Sequence, residues 1–169
     1  MPVSHLLSLS TAVPPHVLLQ DEAKEIGRRA FKRPALFRRL EGVFDNADIA
    51  TRNLVAPLKW YEGAHGWAER NRVYLAAAES LFEEAAVAAI AKAGLEPHQI
   101  DGVVTVSTTG IATPSLEARV GPRISLRSDI RRVPVFGLGC AGGVSGLGLA
   151  GRLAAAEPGT NWLFVTVET

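Results

Sequence analysis

The clearest pattern along the chain is a stripe of apolar residues between Asn71 and Ala93. Apolar side chains recur there at intervals of three and four residues, which is the spacing of one face of an α-helix. The members of the stripe are Tyr74, Ala77, Ala78, Leu81, Phe82, Ala85, Ala89 and Ile90. Gly94 and Pro97 follow, and both residue types favour the end of a helix. The pattern predicts one long helix over this range.

Three short runs rich in β-branched and other apolar residues come after this helix. They are Ile100–Ser107, Arg131–Leu138 and Asn161–Glu168. Such runs are typical of strands, and the second resembles a strand that is buried in a sheet. The sequence therefore predicts three strands in the second half of the chain.

Helices are predicted in both intervals between these strands. Thr113 and Pro114 are residue types that favour a helix cap and a first helical position. The run Ala141–Ala156 is apolar nearly all round, as in a helix that is covered on more than one side. The order β-α-β-α-β predicts an α/β fold with a mainly parallel sheet covered by helices.

The amino-terminal third gives weaker signals. The run "VSHLLSLS", Val3–Ser10, predicts a short strand that ends before Pro14 and Pro15. Asp21 is a suitable cap for a helix that continues to about Arg33. A mixed basic and apolar region follows.

Composition and charge narrow the classes of function. The chain has 169 residues, of which 47% are hydrophobic, which is sufficient for one domain with a core. Its net charge of +1 argues against general binding to nucleic acid or an anionic membrane. A single cysteine permits no internal disulfide, and neither a signal peptide nor a membrane span is evident. These features predict a cytoplasmic protein.

The single cysteine, Cys140, lies in the glycine-rich stretch "VPVFGLGCAGGVSGLGLAG". It follows a predicted strand and precedes a predicted helix, and functional groups of parallel sheets collect at such positions. Free N–H groups at a helix start favour the thiolate form, so that the sulfur becomes a nucleophile. Gly139, Gly142 and Gly143 are expected to permit a sharp turn and the approach of a substrate carbonyl, and Gly146, Gly148 and Gly151 close helix packing.

Three alternatives compete for the same stretch. Gly137, Gly139 and Gly142 match the pattern G-x-G-x-x-G, and Glu168 ends the next predicted strand, as in dinucleotide-binding sites. A hydrolase nucleophile elbow also has glycine after the nucleophile, but Leu138 stands where it has its first glycine. Finally, Cys140 is also compatible with a small buried residue of the core.

Several separated segments resemble one known family, in the family's order. They are "STAVPPHVLLQDEA", "IATRNLV", "VSTTGIATPSLEARV", "RRVPVFGLGCAGG" and "FVTVE". Together they resemble the amino-terminal half of a bacterial type III polyketide synthase, of the chalcone and stilbene synthase family with its thiolase-like fold. The resemblance implies an acyltransferase in which Cys140 accepts an acyl group from acyl-CoA. The acyl thioester then condenses with malonyl-CoA, which loses its carboxylate.

The resemblance also implies roles for other residues. Thr108 and Thr109 fall in a segment that lines the cavity beside the cysteine in the family, and turn bonding is the alternative for Thr109. Thr113 falls where the family's loop reaches into the partner subunit's cavity, with a helix cap as the alternative. Glu168 matches a position near the floor of the active site, with structural hydrogen bonding as the alternative.

Substrate phosphates are expected to need cations. Coenzyme A carries a 3′-phosphate and a pyrophosphate, and the family places basic residues near the segment "FKRPALFRRLEGVFDNADIATR". Arg39 and Arg52 are therefore the candidate coenzyme A contacts, whereas Lys32, Arg33 and Arg38 fit a solvated helix face. The histidines have no metal-ligand spacing, so no metal site is predicted.

The resemblance covers residues 1–169 as an amino-terminal half, with the carboxyl-terminal half absent. In the family that second half supplies a catalytic histidine and asparagine, so a truncation, a split enzyme and a half-length relic are the alternatives. The expected substrates are coenzyme A thioesters, with no further cofactor. The expected partner is a second copy, as a homodimer, or a carboxyl-terminal half. A catalytically silent half that binds a partner subunit is the alternative function.

Overall fold

A computed structural model describes residues 3–169 of the chain. The chain forms two compact units, one made of Val13–Ala64 and the other of the residues up to Ala12 together with His65–Thr169. Each unit is described by itself.

The smaller unit is a two-stranded sheet with short helices. Its elements are β1 (His16–Leu19), α1 (Gln20–Ala30), α2 (Pro34–Leu40), α3 (Gly42–Asn46), β2 (Thr51–Leu54) and α4 (Leu58–Tyr61). The two strands are antiparallel, with His16 opposite Leu54. Phe37 is buried and packs against the rings of Phe31 and Phe44, which gives this unit its apolar centre.

The predicted helix after residue 20 is confirmed, but its predicted cap is wrong. The helix α1 begins at Gln20 with Leu19 as its N-cap, so Asp21 lies inside the first turn. The carboxylate of Glu22 accepts the Leu19 N–H at 3.1 Å and takes over the capping function. Helix α1 ends at Ala30, before the predicted end at Arg33.

The larger unit contains the predicted long helix and the three predicted strands. Its elements are α5 (Trp67–Lys92), β3 (Gly102–Val106), α6 (Leu116–Val120), β4 (Arg131–Val135), α7 (Gly142–Ala156) and β5 (Trp162–Thr166). Short 3-10 turns lie at Pro97–Gln99 and Gly139–Ala141. This order confirms the βαβαβ arrangement predicted from the sequence.

The three strands form one parallel sheet with the order β4-β3-β5. Val104 of the central strand lies opposite Val133 and Phe164. The prediction that β4 is buried is wrong, because this strand lies at an edge of the described sheet and its residues Arg131, Arg132 and Pro134 are exposed. Proline is tolerated at an edge strand because it has no N–H to donate.

The core of the larger unit lies between α5 and the sheet. Every fourth residue of α5 is buried along one face: Tyr74, Ala78, Phe82, Ala86 and Ile90. These side chains pack against Val103 of β3 and against Leu163 and Val165 of β5. Gly94 ends the helix with a φ of +69°, which glycine adopts readily.

The predicted strand at Val3–Ser10 and the predicted helix cap at Thr113 are both wrong. Val3–Ser10 forms no strand; the segment is held by the Ser8 hydroxyl, which donates to Ala89 O at 2.7 Å, and by Lys92, which donates to Leu9 O. Thr113 does not cap a helix, because α6 begins only at Leu116 with Ser115 as its N-cap.

Helix α7 packs onto the other side of the sheet through glycines. A Cβ atom at Gly146 would lie 2.5 Å from Phe164 Cε2, and one at Gly142 would collide with Val106. Gly148 has no such contact, because only Arg152 approaches its Cβ position, at an ordinary 3.6 Å. The predicted close packing is thus confirmed for Gly146 but not for Gly148, and Gly142 serves packing rather than the turn.

Within residues 3–169, no helix combines the length and the apolar character that a bilayer crossing needs. The same residues hold no group of three or more His, Cys, Asp or Glu side chains arranged to bind a metal ion.

Candidate active site

Cys140 is exposed in the 3-10 turn Gly139–Ala141, between the carboxyl end of β4 and the start of α7. Two glycines before it have positive φ angles, +88° at Gly137 and +52° at Gly139. A side chain at either position would be strained, so glycine is needed for the chain to turn here. Because the side chain of Cys140 is exposed, the alternative of a small buried residue of the core is wrong.

The Cys140 turn is attached to the end of the central strand. The N–H of Gly139 donates to the hydroxyl oxygen of Thr108 at 3.2 Å. Ser107, one residue earlier, donates its N–H to Val135 O at 3.3 Å. These bonds place Thr108 beside the residue that precedes Cys140. Its predicted contact with the substrate stays a prediction.

Thr109 and Glu168 form a second connection at the same end of the sheet. The Thr109 N–H donates to Glu168 Oε2 at 2.8 Å, and the Thr109 hydroxyl donates to the same oxygen. The Thr109 hydroxyl oxygen in turn accepts the N–H of Thr169 at 3.2 Å. The structural hydrogen bonding considered for Glu168 is thus observed, since its carboxylate joins the ends of β3 and β5. The turn bonding considered for Thr109 is replaced by this long-range bond, and its contact with the substrate stays a prediction.

Thr113 lies in the loop between β3 and α6 and is exposed. A cis peptide bond joins it to Pro114. Its proposed reach toward a partner subunit stays a prediction.

Arg39 and Arg52 belong to the smaller unit, whereas Cys140 belongs to the larger one. Arg39 lies in the last turn of α2 and is exposed. The Arg52 guanidinium donates from Nε to Gln20 Oε1 at 2.9 Å, which fixes the direction of its side chain. Their predicted contact with coenzyme A stays a prediction.

Sequence reasoning did not assign Tyr74 and Asn71 to the site. Tyr74 is buried, and its hydroxyl shares a hydrogen bond with the Ser107 hydroxyl at 2.7 Å. Asn71, one turn earlier in α5, pairs with the backbone of Ile111. A signal for Tyr74 existed, because it is the only hydroxyl-bearing residue of the apolar stripe and a buried tyrosine hydroxyl needs a partner.

Burial raises the pKa of the Tyr74 hydroxyl above its ordinary value. The hydrogen bond with Ser107 opposes this rise, and the negative charge of Glu168 adds to it. Tyr74 therefore stays neutral at physiological pH and keeps its hydrogen bond to the strand end.

The arrangement is suited to nucleophilic chemistry. A thiol is presented at the carboxyl end of a parallel sheet and at the start of a 15-residue helix. The first N–H groups of a helix lack intrahelical acceptors, and their partial positive charge favours an anion such as a thiolate or an oxyanion.

Comparison with known proteins assigns the family. The profile described as chalcone and stilbene synthases, N-terminal domain, matches residues 2–169. The chain belongs to this family. The assignment replaces the dinucleotide-binding and hydrolase alternatives for the glycine-rich stretch.

Individual relatives agree with this assignment. The chain is 38% identical over 165 residues to a 1,3,6,8-tetrahydroxynaphthalene synthase of Streptomyces peucetius subsp. caesius, covering 95% of the chain and 43% of the relative. It is 32% identical to a putative chalcone synthase of Bacillus subtilis, covering 98% of the chain and 47% of that protein.

The fold is also similar to a solved structure of this family. The crystal structure of 1,3,6,8-tetrahydroxynaphthalene synthase from Streptomyces coelicolor A3(2), a bacterial type III polyketide synthase, superposes with a TM-score of 0.88 at 30% identity. The match covers 95% of the chain and 47% of that structure. The larger unit thus has the α/β, thiolase-like arrangement of the amino-terminal half, and the chain spans about half the length of its relatives.

Proposed function

We propose that the chain is the nucleophile-bearing half of a polyketide-forming acyltransferase, in which Cys140 carries the growing acyl chain. The exposure of Cys140 in a turn that requires glycine, at the start of α7, supports the proposal most directly. A cysteine that served only packing would be expected inside the core. The family assignment supports the same class of chemistry.

The first step is transfer of an acyl group. The Cys140 thiolate attacks the carbonyl carbon of an acyl-CoA thioester and forms a tetrahedral oxyanion. Backbone N–H groups at the start of α7 stabilise this charge. The carbon–sulfur bond to coenzyme A then breaks, coenzyme A leaves as a thiolate that takes up a proton, and the acyl group stays on Cys140 as a thioester.

The second step is condensation. Malonyl-CoA loses carbon dioxide, and the resulting enolate carbon attacks the acyl thioester on Cys140. The new carbon–carbon bond forms as the bond to the Cys140 sulfur breaks, which returns the thiolate. The developing enolate charge needs hydrogen-bond donors, which in the family come from a histidine and an asparagine of the carboxyl-terminal half.

The other candidate residues have proposed supporting roles. Thr108 borders the acyl chain next to the cysteine, with Thr109 behind it, and Thr113 reaches toward a second subunit in a homodimer. Arg39 and Arg52 bind the phosphates of coenzyme A. The reaction needs no cofactor besides the coenzyme A thioesters themselves.

The proposal is tested by incubating the chain with a fatty acyl-CoA and measuring its intact mass. Because the chain has one cysteine, a stable acyl adduct that is lost in Cys140→Ser is assigned to that sulfur. Adding malonyl-CoA to the acylated chain should give no extended product until a carboxyl-terminal half is supplied. An equal adduct on Cys140→Ser, or no adduct on either protein, would contradict the proposed nucleophile.

A further inference from the structure

Helix α5 holds the segment Ser107–Ile111, the first part of the loop that follows β3, at both of its ends. At the far end, the Asn71 side chain donates from Nδ2 to Ile111 O at 3.0 Å and accepts the Ile111 N–H at Oδ1 at 2.8 Å. At the near end, the hydroxyls of Tyr74 and Ser107 are 2.7 Å apart and share a buried hydrogen bond. We call Asn71 and Tyr74 the α5 clamp.

The Tyr74 ring adds a steric contact between these ends. It lies directly against Gly110, where an added Cβ atom would collide with the ring and lie 2.5 Å from Cγ. The backbone of Gly110 therefore approaches the ring more closely than any residue with a side chain permits. Three of the five residues from Ser107 to Ile111 thus contact the α5 clamp directly.

The other two residues of this segment, Thr108 and Thr109, bond to the ends of the neighbouring strands. Thr108 accepts the Gly139 N–H next to Cys140, and Thr109 donates to Glu168 at the end of β5. Neither threonine is bonded to α5. The loop therefore connects a fixed helix on one side with the Cys140 turn on the other.

We infer that Asn71 and Tyr74 are positioning residues for Cys140. The α5 clamp fixes the loop Ser107–Ile111, and the loop fixes the Cys140 turn through the hydrogen bond from Gly139 to Thr108. The inference concerns the geometry of Cys140. It rests on the proposed function only where it says that this geometry matters for acyl transfer.

The attachment of α5 to the sheet does not depend on the polar groups of the α5 clamp. Phe82 and Ala78 of the same helix are fully buried in the core. Tyr74→Phe keeps the ring in that core and removes only the oxygen. Asn71→Ala removes two hydrogen bonds at an exposed site. Both variants are therefore expected to fold.

The test measures two properties of the Cys140 turn in the 169-residue chain. The first is the amide hydrogen exchange rate of Gly139, followed by ¹H–¹⁵N NMR. The second is the rate of Cys140 alkylation by iodoacetamide at pH 7. Either variant should speed Gly139 exchange about three- to tenfold, through one lost hydrogen bond in Tyr74→Phe and two in Asn71→Ala. Alkylation should slow by a similar factor, because the sulfur leaves its place at the start of α7.

Three controls separate positioning from general stability. Ser107→Ala should match Tyr74→Phe, and the double variant should be no worse than either single one, because both lose the same bond. Glu83→Ala removes a contact between α5 and Arg123 elsewhere and should leave both rates unchanged. The Val104 amide in β3 is the internal reference, since a merely structural role would speed its exchange as well.

Unchanged Gly139 exchange and unchanged alkylation in folded Tyr74→Phe and Asn71→Ala would overturn the inference. Equal acceleration at Gly139 and Val104 would overturn it too, because the effect would then be general. A wild-type chain that takes no acyl group from acyl-CoA would contradict the proposed function alone, since neither readout uses acyl-CoA.

Discussion

Helices α5 and α7 cover opposite faces of the same parallel sheet, and they do so by different means. Alternate residues of a strand point to opposite faces, and α5 contacts Val103 whereas α7 contacts Val106. Helix α5 fills its interface with large side chains such as Phe82. Helix α7 uses Gly142 and Gly146, so that its backbone lies close to the strands.

The outward sides of the two helices differ as well. The outer side of helix α5 carries charged residues, of which the half-buried Glu79 and Glu83 pair with arginines that follow α6 or lie within it. Helix α7 exposes Val144 and Leu147, which are 82% and 52% accessible. The side of α5 that faces the sheet is thus a fully buried core. Helix α7 instead combines close inner packing with exposed apolar side chains on its outer surface, directly after the Cys140 turn.

The largest effect is expected from removing a side chain of the α5 interface. Phe82 has no exposed surface, so Phe82→Ala should lower the free energy of unfolding by about 3–5 kcal/mol through lost burial and a cavity. Phe136→Ala, at a 63% exposed phenylalanine, should stay within about 0.5 kcal/mol. Urea unfolding measures both. Similar losses for the two variants would contradict the assignment of the core.

The α7 interface should respond in the opposite sense, to an added atom. Gly146→Ala places a methyl group against Phe164 and Val106, so it should destabilise the chain by about 1–3 kcal/mol despite the better helix propensity of alanine. Gly148→Ala meets no such obstacle and should stabilise it by about 0.5–1 kcal/mol. If thermal unfolding shows the same sign for both, the close packing at Gly146 is not decisive.

The outer surface of α7 should affect assembly more than stability. Exposed apolar side chains such as Val144 and Leu147 favour association, so the chain is expected to form dimers or larger species in light scattering. Leu147→Glu should shift it toward monomer while changing the unfolding free energy by less than about 0.5 kcal/mol. Val87→Glu, at a 49% exposed valine of α5, is the matched control. A wild-type chain that is a stable, monodisperse monomer would refute this expectation.

The sequence predicted those parts of the fold that local patterns determine. The stripe of α5 and the β-branched runs of the three strands depend on residues close together in the chain. The predicted strand at Val3–Ser10 failed because a strand also needs a partner, and here a helix holds this segment through Ser8. The exposure of β4 was missed because it follows from strand order, which local patterns do not contain.

For the candidate site, the sequence indicated the cysteine but not its supports. Glycines with positive φ around Cys140 have a local signature, so the turn was predictable. The contacts of Tyr74 with Ser107 and of Thr109 with Glu168 span 33 and 59 residues. Such pairs arise only when the sheet assembles, and no spacing rule connects them.

The smallest effect is expected from the pH dependence of Tyr74. Its pKa is raised in the folded state, whereas an unfolded tyrosine loses its proton near about pH 10. The unfolded state therefore releases the proton first, and the stability of the wild type falls as the pH rises above about 10. Tyr74→Phe cannot lose a proton, so it should not show this part of the decline.

At neutral pH, Tyr74→Phe should be less stable than the wild type by about 1 kcal/mol, because it lacks the hydrogen bond to Ser107. The difference should shrink when urea midpoints are compared between pH 7 and about 10.5. Tyr61→Phe, which removes the only other tyrosine hydroxyl of the chain, corrects for the loss of a hydroxyl as such. If the stability difference between wild type and Tyr74→Phe grows with pH instead, burial does not hold the proton on the Tyr74 hydroxyl. Water would then reach the hydrogen bond between Tyr74 and Ser107.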